Sequence, residues 1–249
     1  CRHTQAKLAQ AGRADASRRA LTLVPARDGR GWYVDPHGNH WRCYVFVERA
    51  TGHDVIRNAD QAFQAAKAFG AFQALLADLP GDRLIETIPN FHHTPSRYAA
   101  FAAALAKDAH GRAKEAAPEI AFAQARAHEV GTIVEAMARG EIPERVTHND
   151  TKLNNVLLDN ESQEGICVID LDTVMPGSAL YDFGDLVRTS TSPAAEDETD
   201  LSKVTMQLPM FAALVQGYLA SAGGFLTPRE RELLPFAGKL ITFEIGLRF

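Results

Sequence analysis

Cysteine is scarce in this sequence: three residues in 249, too few and too scattered for a disulfide framework or a zinc cluster. No run of about 18 apolar residues is present, so no segment is predicted to cross a membrane. The polar, basic start lacks the pattern of a secretory signal. The net charge of −5 argues against a protein that coats nucleic acid or an anionic membrane. We therefore expect a cytoplasmic protein with neither nucleic-acid nor membrane partners.

Residues 21–47 have the composition of β-structure, after a basic stretch to Arg19 that is typical of a helix end. Aromatic and β-branched residues flank dense turn chemistry at Asp35–Asn39, which is the pattern of a hairpin. Residues 21–47 therefore predict three antiparallel strands. These strands are expected at Leu21–Val24, Gly31–Val34 and Trp41–Val47. We assign residues 1–48, with a helix end before the strands, to the remnant of a small lobe, and residues 49–249 to a helical lobe.

Beyond residue 48 the apolar residues recur at helical spacing. Five helices are predicted, beginning near Asn58, Thr94, Pro118, Gln207 and Thr227. The first, second and fifth of them start with capping residues, and the third extends through Met137. Two short apolar runs, Val156–Asp159 and Ile166–Asp170, flank a polar turn and predict a hairpin. The predicted fold class is therefore α+β, with a partial N-terminal β lobe and a mainly helical C-terminal lobe.

The strongest local pattern is the eight-residue segment His148-Asn149-Asp150-Thr151-Lys152-Leu153-Asn154-Asn155. It fits the H-x-D-x-x-x-x-N spacing of kinase catalytic loops. Phosphoryl transfer needs a carboxylate near the attacking hydroxyl and oxygen ligands for Mg²⁺. Asp150 is therefore the candidate base and Asn155 a candidate metal ligand. Lys152 is placed to neutralise charge on the transferred phosphate.

Asp170 lies at the end of the second apolar run, where kinases place a metal-binding aspartate. A carboxylate at the tip of a buried strand is costly unless a cation meets it, and Mg²⁺ would supply that charge. Asn155 and Asp170 are therefore the predicted Mg²⁺ ligands. For Asp172 three interpretations stay open: a second metal ligand, an acceptor behind the ligands, or an ordinary loop carboxylate.

The triplet Asp182-Phe183-Gly184 has the letters of the kinase metal-binding motif, but it lies too far past the catalytic loop. It also follows a turn-like segment rather than a buried strand. We expect Asp182 to be structural, either capping the next helix or anchoring the backbone of the catalytic loop. Asp185 is a second candidate for that task, and His148 is expected to give the loop structural support.

These motifs resemble those of the aminoglycoside phosphotransferase and choline kinase superfamily. Longer segments are similar to bacterial N-acetylhexosamine 1-kinases. The segments are Val146–Val156, Val168–Gly177, Tyr181–Asp185, Glu86–His92 and Ala194–Glu198. The resemblance extends from about Leu21 to Phe249 and implies a protein-kinase-like fold of two lobes. It also implies an enzyme that uses ATP to phosphorylate small molecules.

The closer resemblance implies a particular reaction. ATP, with Mg²⁺, would phosphorylate the anomeric hydroxyl of N-acetylglucosamine or N-acetylgalactosamine to give the sugar 1-phosphate. Asp150 carries over as the base that contacts the sugar, and Asn155 and Asp170 as the metal ligands. Arg248 matches a position expected to touch the sugar, although an Arg on the last apolar helix is equally explained as a surface residue.

Two further segments have a candidate role, the first from the resemblance and the second from its position before a helix cap. The stretch that includes Phe46, Val47 and Glu48 resembles the hinge whose backbone holds adenine, and an ordinary edge strand is compatible with that role. The loop Asn90–Thr94 is interpreted as a capping loop with a hydrogen-bonded histidine pair, and a sugar-binding or lid role is the alternative.

The sequence lacks the phosphate-binding elements of a kinase small lobe. No Gly-rich loop precedes the catalytic segment, and Lys7 is the only lysine before Lys67. On the resemblance the chain starts within the small lobe and stops inside a helix. We therefore expect a fragment, truncated at both ends, that alone binds ATP poorly and is inactive.

Two alternatives to a sugar kinase stay open. One is a kinase for another hydroxyl compound, such as an aminoglycoside or choline, which the acidic stretch Glu141–Asp200 favours weakly. The other is a non-catalytic, kinase-like binding module. The intact set of Asp150, Asn155 and Asp170 argues against that module.

Overall fold

The computed structural model describes residues 1–194 and 198–248, so Phe249 and most of the segment Ala194–Glu198 lie outside the described residues. The predicted α+β class is confirmed. The helices are α1 Arg2–Gln10, α2 Ala16–Arg19, α3 Ala59–Leu76, α4 Thr94–Lys107, α5 Ala117–Ala125, α6 Thr132–Ala138, α7 Ala179–Ser190, α8 Leu208–Ala222 and α9 Pro228–Gly246. The strands are β1 Leu23–Val24, β2 Tyr33–Val34, β3 His40–Trp41, β4 Cys43–Tyr44, β5 Ala50–Gly52, β6 Arg145–Thr147, β7 Val156–Asp159, β8 Gly165–Val168 and β9 Met175–Gly177. Within the described ranges, none of these helices combines the length and the apolar character needed to span a bilayer.

The chain forms two compact units, each assembled from three separate stretches of sequence. Unit 1 comprises Cys1–Gly81, Lys152–Leu171 and Pro209–Gly224. Unit 2 comprises Asp82–Thr151, Asp172–Leu208 and Phe225–Phe249. The lobe boundary at residue 48 stays a prediction.

The early strands differ from the predicted three-stranded arrangement. Four two-residue strands form two separate antiparallel pairs, β1 with β4 and β2 with β3. Asp35 closes the second pair by accepting hydrogen bonds from the N–H groups of His37 and Asn39 and from the indole of Trp41. The predicted strand over Trp41–Val47 ends early because Val47 turns into the apolar core, where it is 7 % exposed. Strand composition alone did not reveal this turn.

In unit 1, the predicted hairpin of β7 and β8 is present and forms a three-stranded antiparallel sheet with β5. Helices α3 and α8 approach each other at glycines. A Cβ on Gly217 would collide with the backbone of Phe63, and one on Gly70 would lie 2.5 Å from the hydroxyl of Ser221. These two positions therefore admit no side chain, and the close packing of the two helices depends on them.

The five predicted helix starts are confirmed to within one residue, and the predicted capping residue is correct at two helices and shifted by one residue at a third. Asn58 accepts a hydrogen bond from the N–H of Gln61, and Thr227 forms a full capping box. At α4 the cap is His93, whose Nδ1 accepts from Ser96 N–H, and Thr94 lies in the first turn. The hydroxyl of Thr94 does not cap the helix, because it donates a hydrogen bond to the buried carboxylate of Glu244 on α9.

The predicted third helix is interrupted. It consists of α5 and α6, with a short 3₁₀ turn at Ala127–Glu129 between them. Gly131, which precedes α6, is a poor helix former. A Cβ on Gly131 would lie against the flexible side chain of Glu135, which would have to move aside. Apolar residues keep their helical spacing across the break, which is why the sequence predicted one helix.

In unit 2, α7 packs against α9, again through glycine. A Cβ on Gly184 would lie 2.5 Å from the carbonyl oxygen of Ala237, and one on Gly238 would lie 2.7 Å from a methyl group of Val187. Strand β6 pairs antiparallel with β9, and Thr147 faces Met175 in the register. The segment His148–Thr151 follows β6 directly, so this two-stranded ladder positions the start of the predicted catalytic loop.

Candidate active site

Two buried aspartates of α7 hold the backbone of the predicted catalytic loop in unit 2. The Asp182 carboxylate accepts hydrogen bonds from the N–H groups of His148 at 2.9 Å and Asn149 at 2.7 Å. The Asp185 carboxylate accepts from Thr151 N–H at 2.8 Å. Ser178 caps α7, so Asp182 serves as an anchor of the loop rather than as a helix cap. Asp182-Phe183-Gly184 lies inside α7 and is fully buried.

Asn149 is held within this loop by its backbone and by its side chain. Its backbone is left-handed, with φ of 66°, a conformation that asparagine tolerates better than most residues. Its side-chain amide donates to the carbonyl oxygen of Thr173 at 2.9 Å and accepts from the hydroxyl of Thr147 at 2.9 Å. The Thr173 hydroxyl in turn donates to the carbonyl oxygen of His148 at 2.6 Å. Sequence reasoning missed Asn149, although an asparagine inside a rigid loop is a signal for left-handed backbone.

Asp150 follows Asn149, and its side chain is half-buried. Its backbone N–H lies 3.4 Å from Nδ1 of the fully buried His148. The charge of Asp150 also acts on its neighbour Asp185. Burial foremost, and to a smaller extent the charge of Asp150, raise the pKa of Asp185, and the nearby Arg188 opposes this shift. The loop therefore presents one half-buried carboxylate at Asp150, and the enclosed carboxylate of Asp185 on α7 supports the loop from behind.

In unit 1 the structure brings two predicted metal ligands together. The N–H of Ile169, the residue before Asp170, donates to the carbonyl oxygen of Asn155 at 2.9 Å. Asn155 is buried and Lys152 half-buried, whereas Asp170 is exposed and has a left-handed backbone with φ of 57°. Asp170 is therefore exposed although it follows the buried strand β8, as expected for a carboxylate at the tip of that strand. The ligand role of Asp170 stays a prediction.

The chemistry of this donor set fits magnesium. Asn155 offers an amide oxygen and Asp170 a carboxylate oxygen, and Mg²⁺ prefers hard oxygen ligands. Over residues 1–194 and 198–248 no group of three or more His, Cys, Asp or Glu side chains is arranged to hold a metal. Sites that share Mg²⁺ with substrate phosphates use only one or two protein carboxylates, so the sparse set is compatible with such a shared ion.

A model of the phosphotransferase enzyme family matches residues 4–233. The chain belongs to this family.

Two solved structures share the fold of this phosphotransferase-family chain. One is a microcompartment-associated aminopropanol kinase, with a TM-score of 0.55 and 22 % identity over 99 % of this chain and 73 % of that chain. The other is an aminoglycoside phosphotransferase from Alicyclobacillus acidocaldarius, with a TM-score of 0.50 and 14 % identity over 99 % of this chain and 81 % of that chain. The predicted kinase-like fold is thereby confirmed.

The predicted adenine segment of this family member also lies in unit 1. Val47 is buried in an apolar cluster with Leu21, Ile166 and Cys167. Phe46, in contrast, is 81 % exposed. The carbonyl oxygen of Glu48 accepts a hydrogen bond from the guanidinium of Arg18 at 2.8 Å. The segment is an irregular connection between β4 and β5 rather than a continuous edge strand.

Unit 2 contains a cavity of about 250 Å³ beside the catalytic loop. Its lining includes Asn149 of the loop and Met175–Gly177 of β9. At its edge, the guanidinium of Arg83 forms ion pairs with Glu86 at 2.7 Å and Glu144 at 2.8 Å. Arg248, the predicted sugar contact, is exposed in the turn after α9. Its role in sugar binding stays a prediction.

A substitution at Gly177 in β9 can test how tightly the catalytic loop is packed. A Cβ there would collide with the hydroxyl of Thr147 and lie 3.0 Å from Oδ1 of Asn149. We expect Gly177→Ala to displace the Asn149 side chain, to destabilise the fold by about 1–3 kcal/mol, and to lower kcat. Chemical unfolding and steady-state kinetics measure the two effects. Gly246→Ala is the matched control, because the added methyl group meets no described atom within 4 Å outside its chain neighbours and the backbone of its own helix. Equal behaviour of the two variants would contradict the close contact.

Proposed function

We propose that this phosphotransferase-family protein transfers the γ-phosphoryl group of ATP to the anomeric hydroxyl of an N-acetylhexosamine, giving the sugar 1-phosphate. The observation that carries the proposal is the catalytic loop itself. Its backbone is fixed by the buried carboxylates of Asp182 and Asp185, and it presents the half-buried carboxylate of Asp150. A rigidly held carboxylate is what positioning of an attacking hydroxyl requires.

In the proposed reaction Asp150 accepts the proton of the anomeric hydroxyl as its oxygen attacks the γ-phosphorus. The bond from that phosphorus to the β–γ bridging oxygen breaks, and ADP leaves with the electron pair. Lys152 offsets negative charge on the transferred phosphoryl group. Asn155 and Asp170 would hold Mg²⁺, which neutralises charge on the phosphate oxygens when it is bound. The segment Phe46–Glu48 would hold the adenine through its backbone.

Two observations support the nucleotide part of the proposal. Unit 1 carries the predicted adenine segment, with Val47 in an apolar cluster that includes residues of β8. It also carries Asn155 and Asp170, and the backbone N–H of Ile169, the residue before Asp170, donates to the carbonyl oxygen of Asn155. The sugar part rests on the long motif segments that resemble N-acetylhexosamine 1-kinases. Arg248 is the candidate contact to the acceptor.

The acceptor assignment is tested with the full-length gene product and a panel of hydroxyl compounds. The panel contains N-acetylglucosamine, N-acetylgalactosamine, their 1-O-methyl glycosides, an aminoglycoside, choline and a simple amino alcohol. We expect ³¹P NMR to detect a sugar 1-phosphate with the free sugars and no product with the methyl glycosides, whose anomeric oxygen is blocked. Equal rates on blocked and free sugars would disprove the anomeric assignment. ATP binding without transfer to any acceptor would favour a non-catalytic module.

A further inference from the structure

His92 lies at the centre of a buried hydrogen-bonded chain in unit 2. Its Nε2 lies 2.9 Å from the carbonyl oxygen of Asn149, and its Nδ1 lies 2.9 Å from Oε1 of Glu244 on α9. The hydroxyl of Thr94 donates to the other carboxylate oxygen of Glu244 at 2.6 Å. The side chain of His92 is 5 % exposed and that of Glu244 is fully buried. The chain therefore leads from α9 to the residue directly before Asp150.

The partners of His92 define its protonation state. A carbonyl oxygen only accepts, so Nε2 must carry a hydrogen toward Asn149. The Glu244 carboxylate also accepts, so Nδ1 carries the second hydrogen and the ring is an imidazolium. Burial alone would lower the pKa of His92. The hydrogen bond and charge of Glu244, together with the charge of Asp185, outweigh burial and raise that pKa above its usual value of 6.5.

Other titratable and charged groups also surround this pair. They come from α4 and α7, and they are Arg97, Tyr181, Asp185 and Arg188. Asp185 is paired with the guanidinium of Arg188 at 2.9 Å. Burial, with the charge of Glu244, raises the pKa of Tyr181, so its phenol stays neutral. Glu244 therefore remains the direct carboxylate partner of His92.

We propose that His92, held by Glu244, is a positioning residue for phosphoryl transfer, because it fixes the carbonyl group of Asn149 and thereby the carboxylate of Asp150. This inference rests on the proposed function. Asn149 has a left-handed backbone, and Asp182 already holds its N–H. His92 holds its carbonyl, which belongs to the peptide group shared with Asp150. The two bonds together orient the base, and small displacements of such a group are costly to catalysis.

The two hydrogen bonds of the His92 ring predict that kcat depends on pH. When His92 loses its proton, only one ring nitrogen can donate. A lone pair then faces either the Asn149 carbonyl or the Glu244 carboxylate, and one of the two bonds is lost. Protonated His92 is present below its pKa and disappears above it. We therefore expect kcat to fall as the pH rises through the elevated pKa of His92.

The experiment compares Glu244→Gln with the double variant His92→Ala/Glu244→Gln in the full-length gene product. In the single variant the new amide donates to Nδ1, so neutral His92 keeps its Nε2–H bond to Asn149. The double variant removes that donor and leaves no unpaired carboxylate buried. We expect the double variant to lose about 10- to 100-fold in kcat, with KM values for ATP and sugar changed less than about threefold. The single variant should keep kcat within about threefold at pH 7 and lose the alkaline decline.

Two measurements separate positioning from folding. Thermal unfolding should show both variants folded at the assay temperature, and ¹⁵N NMR of the ring should show His92 doubly protonated at pH 7 in the wild type and singly protonated in Glu244→Gln. The control is His128→Gln, whose side chain is 74 % exposed and which should match the wild type.

An undiminished kcat in the folded double variant, or an unchanged alkaline decline in Glu244→Gln, would overturn the role of His92 alone. Absence of phosphoryl transfer by the wild type to every acceptor would instead overturn the proposed function, and the positioning role with it.

Discussion

Asp150→Asn should lower kcat of the full-length gene product by about 10²- to 10⁴-fold, the usual contribution of a general base. The amide keeps the size of the side chain and its place beside His148, but it cannot accept the proton of the attacking hydroxyl. Because Asp150 is half-buried and its loop is held through backbone groups, the fold should be unaffected. Steady-state kinetics with ATP and the best acceptor of the panel measure the loss.

The control for this variant is Asp108→Asn. Asp108 is exposed and ends α4 in a left-handed conformation that asparagine also adopts. Its kcat should equal that of the wild type. If Asp150→Asn retained full activity, Asp150 would not be the base. If it lost activity together with its cooperative thermal transition, the loss would reflect unfolding rather than chemistry.

Asp182→Ala is expected to have the largest effect on stability. It removes the acceptor of two buried N–H groups, those of His148 and Asn149. Each unsatisfied buried donor costs about 1–3 kcal/mol, so we expect a loss of about 2–6 kcal/mol in the free energy of unfolding. That is a large fraction of the usual stability of a domain. Urea unfolding followed by circular dichroism measures it.

Two comparisons sharpen this prediction. Asp182→Asn keeps one acceptor oxygen but turns an N–H group toward a donor, so its stability should fall between those of the wild type and the alanine variant. Asp200→Ala removes an exposed carboxylate that accepts hydrogen bonds from the backbone N–H and the hydroxyl of Ser202 and forms an exposed ion pair with Lys203. It should change stability by less than about 0.5 kcal/mol. A similarly small change in Asp182→Ala would show that the loop does not depend on this anchor.

The features predicted correctly from the sequence have local signals. The catalytic-loop motif, the hairpin of β7 and β8, and the caps at Asn58 and Thr227 each lie within a few neighbouring residues. The sequence position of Asp182 is compatible with two roles, a cap of the next helix or an anchor of the catalytic loop. The hydrogen bonds to His148 and Asn149 decide between them.

The features that sequence reasoning missed depend on distant partners. Glu244 falls among the apolar residues of α9, which signals burial, but its partner His92 is 152 residues away. The fragmentation of the strands between residues 21 and 47 has the same origin. Val47 leaves its strand because Ile166 and Cys167 provide a core for it, and no local pattern records that core. Asp170 is likewise exposed because β8 ends before it, and the residues next to Asp170 in the sequence do not indicate where that strand ends.

The close approach of α3 and α8 also has a consequence for biosynthesis. Their contact includes the hydrogen bond from Tyr218 to Gln73, 145 residues apart. A ribosome adds about 5–20 residues per second, so α3 waits about 7–30 s for its partner helix to be made. During that interval the face of α3 that Gly70 and Phe63 share with α8 is open to other chains. Unit 1 therefore cannot complete its core before α8 has been synthesised.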